Sequence, residues 1–117
     1  MNLLVVDDET SLLQLLGQHL ERQGHTIEPA ASVAAALAAI AKPVTFDVAL
    51  VDWKLPDGIG LDVARALLTR DAKARVIFTS GYPIDSSDIP AEFRSRIRML
   101  QKPFLPRALA EMLKTLE

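Results

Sequence analysis

Apolar residues in this chain follow two alternating rhythms, short unbroken runs and longer stretches with a period near 3.6. Leu3-Leu4-Val5-Val6 is a continuous apolar run, the pattern of a strand buried on both faces, and it stops at Asp7-Asp8. Leu12, Leu13, Leu16 and Leu20 then recur at helical spacing, with Thr10 or Ser11 as the expected N-cap and Gly24 just past the end. Thr26-Ile27-Glu28, halted by Pro29, predicts an edge strand. Ser32 is placed to cap a second helix that carries Val33, Leu37 and Ile40 and closes at Pro43.

The same alternation then repeats. Phe46 to Val51 reads as a buried strand broken only by Asp47, and it ends at Asp52. A breaker-rich turn, Leu55 to Gly60, opens a third helix with Leu61, Ala64 and Leu68 on one face. Val76-Ile77-Phe78 forms the fourth predicted strand, ending at Thr79-Ser80-Gly81, and Ile97 to Leu100 the fifth, ending near Lys102-Pro103. Leu105, Leu109, Met112, Leu113 and Leu116 mark the last helix. Between Tyr82 and Arg96 the pattern is weakest, because Pro83 and Pro90 interrupt it, and a short fourth helix is expected around Ala91 to Ser95.

Five strands alternating with five helices imply an α/β fold, a parallel sheet covered on both faces. Strands joined in this way point their carboxyl ends to one rim, and doubly wound folds bind ligands there. Polar residues follow four of the five strands: Asp7 and Asp8, Asp52, Thr79, and Lys102. Three carboxylates crowded together repel and raise one another's pKa unless a cation joins them. Oxygen ligands with no His or Cys favour Mg²⁺, or Mn²⁺, over zinc. A carboxylate is also a competent nucleophile toward phosphorus. Lys102 offers a point charge and Thr79 a hydroxyl donor for phosphoryl oxygens. The set is what phosphoryl transfer to an aspartate requires.

In that order, and each at a strand end, these residues resemble the response-regulator receiver domain, the phosphoacceptor module of two-component signalling. The matching pieces are Leu4-Val5-Val6-Asp7-Asp8-Glu9, Asp52 with Leu55-Pro56-Asp57-Gly58, Thr79-Ser80-Gly81 and Lys102-Pro103-Phe104. The resemblance covers essentially the whole chain. It implies a flavodoxin-like (βα)5 domain over residues 1–117 with strand order 2-1-3-4-5. Asp52 would be the phosphoacceptor, Asp7 and Asp8 the metal-binding pair, and the Lys54 backbone carbonyl a further Mg²⁺ contact. Thr79 would be the switch hydroxyl and Lys102 the phosphoryl partner, and the Lys102–Pro103 peptide is often cis in this family. A histidine kinase or histidine phosphotransfer protein would supply the phosphoryl group. A downstream protein would read the face built from the fourth helix, fifth strand and fifth helix. Such a domain is not an enzyme beyond catalysing its own phosphorylation and dephosphorylation.

Two departures stand out. The position three residues before the lysine, usually Tyr or Phe in receivers, is Met99, so output is expected to run differently, through Tyr82. Arg94, Arg96 and Arg98 alternate toward the fifth strand, either to discourage edge pairing or as a basic patch.

Each residue has a plainer reading. Asp7 and Asp8 suit a helix N-terminus, Asp52 a turn, Thr79 a strand end, and Lys102 a solvated approach to a helix. His19 and His25 are read as surface or packing residues. A phosphatase with an aspartate nucleophile would want a second Asp at position 54, where Lys54 stands. A receiver-like module without phosphate chemistry would lack one of the acidic or lysine positions. No G-x-G-x-x-G follows the first strand, against dinucleotide binding.

The remaining chain properties agree. At 117 residues one domain is expected, with about 18,600 Å² exposed unfolded and about 6,300 Å² folded. Half the residues are hydrophobic and none is cysteine, compatible with a reducing compartment. Net charge is −2, which argues against direct nucleic-acid binding. With no apolar span and no leader-like start, a cytoplasmic protein off the membrane is expected. The sequence contains no output domain, which is read either as action through other proteins or as a fragment of a longer chain.

Overall fold

The computed structural model describes residues 1–116. Its elements are β1 (Asn2–Val6), α1 (Thr10–Arg22), β2 (Thr26–Ala30), α2 (Val33–Ala41) and β3 (Val48–Asp52), then a small hairpin, β4 (Lys54–Leu55) with β5 (Gly58–Ile59). After it come α3 (Gly60–Arg70), β6 (Arg75–Ser80), β7 (Ile97–Gln101) and α4 (Pro106–Thr115). The main sheet is parallel throughout, in the order β2-β1-β3-β6-β7, which is the expected order of its five strands. This is the doubly wound α/β fold of the flavodoxin type.

Unbroken apolar strands follow from burial on both faces. Leu4, Val6, Ala49, Val51, Val76 and Phe78 pack under α2 and α3. Their neighbours Leu3, Val5, Val48, Leu50 and Ile77 point the other way, against Leu16 and Leu20 of α1 and Leu109 and Leu113 of α4. Fully burying one such side chain contributes about 1.5–3 kcal/mol. The folded surface, 6424 Å², agrees with the area expected for this chain length. Among the described residues no helix is long and apolar enough to cross a membrane.

Several local expectations are corrected. Neither Thr10 nor Ser11 caps α1: Glu9 is the N-cap residue, without a side-chain cap, and Thr10 is already helical. Strand β2 runs through Pro29 to Ala30. Thr26 N bonds to Met1 O, so every second residue of β2 turns its N–H toward β1 and Pro29 turns its nitrogen outward, where no donor is needed. In place of a fourth α-helix the crossover from β6 to β7 holds two 3₁₀ segments, Ser86–Asp88 and Ala91–Arg96. The two prolines and the Asp85 side chain, which accepts from Ser87 N at 2.9 Å, stop any longer helix. Leu105, expected on the buried stripe of the last helix, is its N-cap residue and is 72% exposed.

Arg96 is absorbed by the fold. Its guanidinium donates to Leu68 O, Ala74 O and Asp71 O, carbonyls at and just past the end of α3. Arg94 donates to Ile89 O, and Arg98 to Ser95 O and Ile97 O.

Ser32 caps α2 as expected, accepting from Ala35 N at 3.0 Å. A second cap comes from a distant residue: Asp57 accepts from Val33 N at 2.8 Å and from Ala34 N at 3.0 Å. The Ala34 and Val33 N–H groups hold the Asp57 carboxyl below its ordinary value of 3.8. A depressed folded-state pKa gives stability that is complete above the unfolded value and is lost as pH falls through the folded one. Asp57→Ala is therefore expected to melt at a lower temperature than the parent at a constant interval from pH 7 down to about pH 4.5, with the interval closing below pH 4. Thermal unfolding followed by circular dichroism across that range checks it.

Candidate functional site

At the carboxyl rim the sheet delivers its polar residues together. β1 ends at Val6, and Asp7 extends the ladder by one bond, its N–H donating to Ala30 O at 3.0 Å. The Asp7 side chain is buried, 5% exposed, with Oδ1 accepting from Glu9 N at 2.9 Å. Asp52 closes β3 in register with Thr79 of β6, which is also buried. Asp8 is exposed. One carboxylate oxygen from each of Asp7, Asp8 and Asp52 lies within 4.8 Å of the other two. Lys102 reaches in from the far edge of the sheet, its ammonium 2.8 Å from Asp7 Oδ2 and 3.3 Å from Asp52 Oδ2. The Lys102–Pro103 peptide is cis, and Lys102 N donates to Ser80 O at 2.7 Å.

Charge and burial pull against each other here. Burial pushes the Asp52 carboxyl up from its ordinary 3.8; Lys102 opposes this, but the charges of Asp7 and Asp8 add to the rise and the net direction is upward. Burial alone would lower Lys102, yet the hydrogen bond and charge of Asp7, joined by Asp52, outweigh it and raise the lysine. An isolated ion pair would lower its carboxylate. Asp52 moves the other way because its burial outweighs the attraction of Lys102, which Asp7 also engages, and the charges of Asp7 and Asp8 add to the rise. Hard oxygen donors at this spacing, with no nitrogen or sulfur ligand among them, suit Mg²⁺ or Mn²⁺.

The backbone beside Asp52 is tightly held. Trp53 N donates to Thr79 O and Gly60 N to Trp53 O, each at 2.8 Å. A Cβ at Gly60 would lie 2.5 Å from the Asp52 carbonyl oxygen, so only glycine lets the chain return so close. The Trp53 ring stands edge-on to Phe78, centroids 5.0 Å apart. Lys54 is exposed, in the first strand of the hairpin. Met99 pairs with Phe78 across the sheet and faces a cavity of about 230 Å³ that Tyr82, 78% exposed, also borders.

Sequence reasoning missed three of these features: the Asp57 cap, the Gly60 approach and the Trp53–Phe78 contact. The Asp-Gly turn was visible, but nothing in it points to a helix 24 residues earlier. The two histidines are elsewhere: His19 lies 3.3 Å from the Gln23 amide and His25 3.1 Å from the Met1 amino group.

A carboxyl whose folded-state pKa is raised binds more protons in the native than in the unfolded chain, so its contribution to stability falls as pH rises above about 3.8. Without metal, Asp52→Asn is expected to raise the melting temperature by about 2–5 °C at pH 7. That gain should shrink toward zero as pH drops to 3.8 and below. Asp8→Asn should act in the same direction but more weakly, because Asp8 is exposed. Calorimetric scans with a chelator present check both.

The comparisons agree with this geometry. The family model described as "Response regulator receiver domain" matches residues 3–114. The acid tolerance regulatory protein ActR of Rhizobium meliloti (strain 1021) is 36% identical over 102 residues, 87% of this chain and 52% of that protein. The photosynthetic apparatus regulatory protein RegA of Cereibacter sphaeroides is 36% identical over 103 residues, 87% of this chain and 55% of its own length. The chain thus spans about half the length of the curated relatives it matches. Among solved structures, a CheY-like response regulator receiver domain protein from Methanospirillum hungatei JF-1 superposes with a TM-score of 0.85 at 31% identity, covering 97% of this chain and 90% of that one. With its whole sheet matched and its polar rim intact, the chain belongs to the response regulator receiver domain family.

Proposed function

We propose that Asp52 accepts a phosphoryl group from a phosphohistidine donor, a histidine kinase or a histidine phosphotransfer protein. The observation that carries this reading is the meeting of Asp7, Asp8 and Asp52 within 4.8 Å, with the Lys102 ammonium 3.3 Å from the Asp52 carboxylate. In the step itself an Asp52 oxygen attacks phosphorus, the P–O bond forms as the N–P bond of the donor breaks, and the leaving imidazole nitrogen recovers a proton. Burial makes Asp52 a more basic carboxylate and so a better nucleophile. Lys102 pairs with a phosphoryl oxygen, and Thr79, aligned with Asp52 across the sheet, donates its hydroxyl to another. Asp7, Asp8, Asp52 and the Lys54 backbone carbonyl would hold Mg²⁺, or Mn²⁺. The bound ion would neutralise negative charge on the transferring group.

Receiver domains are signalling domains, so the product is a change in binding. Residues 1–117 act as one domain, in the cytoplasm, with neither nucleic acid nor membrane bound directly. The downstream partner reads the face formed by the 3₁₀ crossover, β7 and α4. Met99 carries no aromatic ring, and output passes through Tyr82, which borders the same cavity.

Incubation with acetyl phosphate and Mg²⁺ should add one phosphoryl group to the intact mass. The adduct should vanish with EDTA or in Asp52→Ala. An unchanged adduct in Asp52→Ala would remove the site assignment.

Lys54 shares a cavity of about 290 Å³ with Asp52, Ser80, Gly81 and Tyr82. Its ammonium at this mouth hinders the water that attacks the phosphoryl group in line. Lys54→Ala should therefore speed loss of the phosphoryl label several-fold at saturating Mg²⁺, a factor of ten needing only about 1.4 kcal/mol. Identical decay curves would mark Lys54 as a surface lysine.

A further inference from the structure

The hairpin that follows Asp52 is fastened at both ends. At its base, Gly60 N donates to Trp53 O at 2.8 Å and the backbone passes so near Asp52 that a side chain at position 60 would collide with it. At its tip, the turn between Leu55 and Gly58 places Asp57 over the first turn of α2. There its two oxygens take the Val33 and Ala34 N–H groups at 2.8 and 3.0 Å. The neighbouring Gly58 is closely packed: a Cβ there would lie 3.1 Å from Asp62 Oδ2 and 3.3 Å from Val33 Cγ2.

The same stretch of backbone meets the acidic cluster from its other side. Ala30, three residues before α2 begins, accepts the Asp7 N–H at 3.0 Å. The start of α2 therefore stands between two halves of the rim. Asp7 hangs from the segment leading into it, and the hairpin carrying Lys54 is clipped to its first turn. Ser32 supplies the ordinary cap by taking Ala35 N, so the helix has a cap that does not involve the hairpin.

We propose that Asp57 is a positioning residue for divalent-cation binding: by clipping the hairpin turn to α2 it fixes the place of the Lys54 backbone carbonyl relative to Asp7, Asp8 and Asp52. This rests on the reading of the acidic cluster as a Mg²⁺ site. Mg²⁺ demands near-octahedral geometry and tolerates a displaced ligand poorly. Residues that orient metal ligands from behind typically change affinity by about 10–100-fold. Removing the clip frees the turn while leaving the three carboxylates in place, so affinity falls without the site being lost.

The test is a Mg²⁺ titration of four metal-free proteins, the parent, Asp57→Ala, Asp57→Asn and Ser32→Ala. Binding is followed by Trp53 fluorescence and by calorimetry, with melting temperatures measured in parallel. Asp57→Ala is expected to bind Mg²⁺ about tenfold more weakly. Asp57→Asn should fall between it and the parent, since its single amide oxygen accepts one of the two N–H groups. Ser32→Ala removes a cap from the same helix without touching the hairpin; it should lower the melting temperature and keep the parent affinity. An Asp57→Ala affinity equal to the parent's, or affinities that merely follow melting temperature through Ser32→Ala, would overturn the proposal. A parent that itself binds no Mg²⁺ would overturn the metal reading, and this inference with it.

Discussion

One ammonium group holds the rim of this sheet together. Lys102 Nζ lies between carboxylates that close the first and third strands, 95 and 50 residues away along the chain. Three acids at one edge repel, and a solvated lysine on a flexible stem would do little about it. Here the lysine is only 23% exposed and Asp7 5%, so the attraction acts through a medium less screened than water. Its reach also sets where the chain goes after β7. Lys102 must stand close to Ser80, whose carbonyl takes its N–H, before its side chain can cross to Asp7. The tie therefore constrains the β7–α4 junction as well as the acids.

That tie leaves the site under tension by design of its composition. Asp52 stays raised despite its counter-ion, which means the folded protein keeps an acid in a place that disfavours its charge. The rest of the molecule offsets this with strands buried on both faces and with arginines that tie down the C-terminal ends of helices. Arg70 donates to Ile40 O and Val44 O at the end of α2, and Arg96 to the carbonyls around the end of α3. A ligand that neutralises the rim relieves the tension, and binding and stability are coupled through the same charges.

How much of this was readable in advance depended on how local each cause is. Leu3 to Val6 and Val76 to Phe78 declare themselves because burial on two faces leaves no polar position to confuse them. Asp7, Asp8, Asp52, Thr79 and Lys102 were legible because a parallel sheet sends every strand end to the same rim. Local chemistry misled at Thr10, a good capping residue that the chain uses one position later, inside the helix. Pro29 looked like a stop, and only the register of β2 shows its nitrogen facing outward. Asp57 and Arg96 were opaque for a different reason. Their partners lie 24 and up to 28 residues away, and no pattern in the neighbouring residues encodes them.

The crossover from β6 to β7 differs in kind from the other connections. A full α-helix secures itself with a backbone ladder; this segment has two short 3₁₀ pieces and rests on the sheet through Ile89 and Phe93, with Arg94 folded back onto Ile89 O. Lifting it away breaks few main-chain bonds, but it uncovers Ile89 and Phe93 and draws the Arg96 guanidinium off the carbonyls around the end of α3. The segment is thus held by its side chains more than by its own backbone, the reverse of the helices that cover the rest of the sheet.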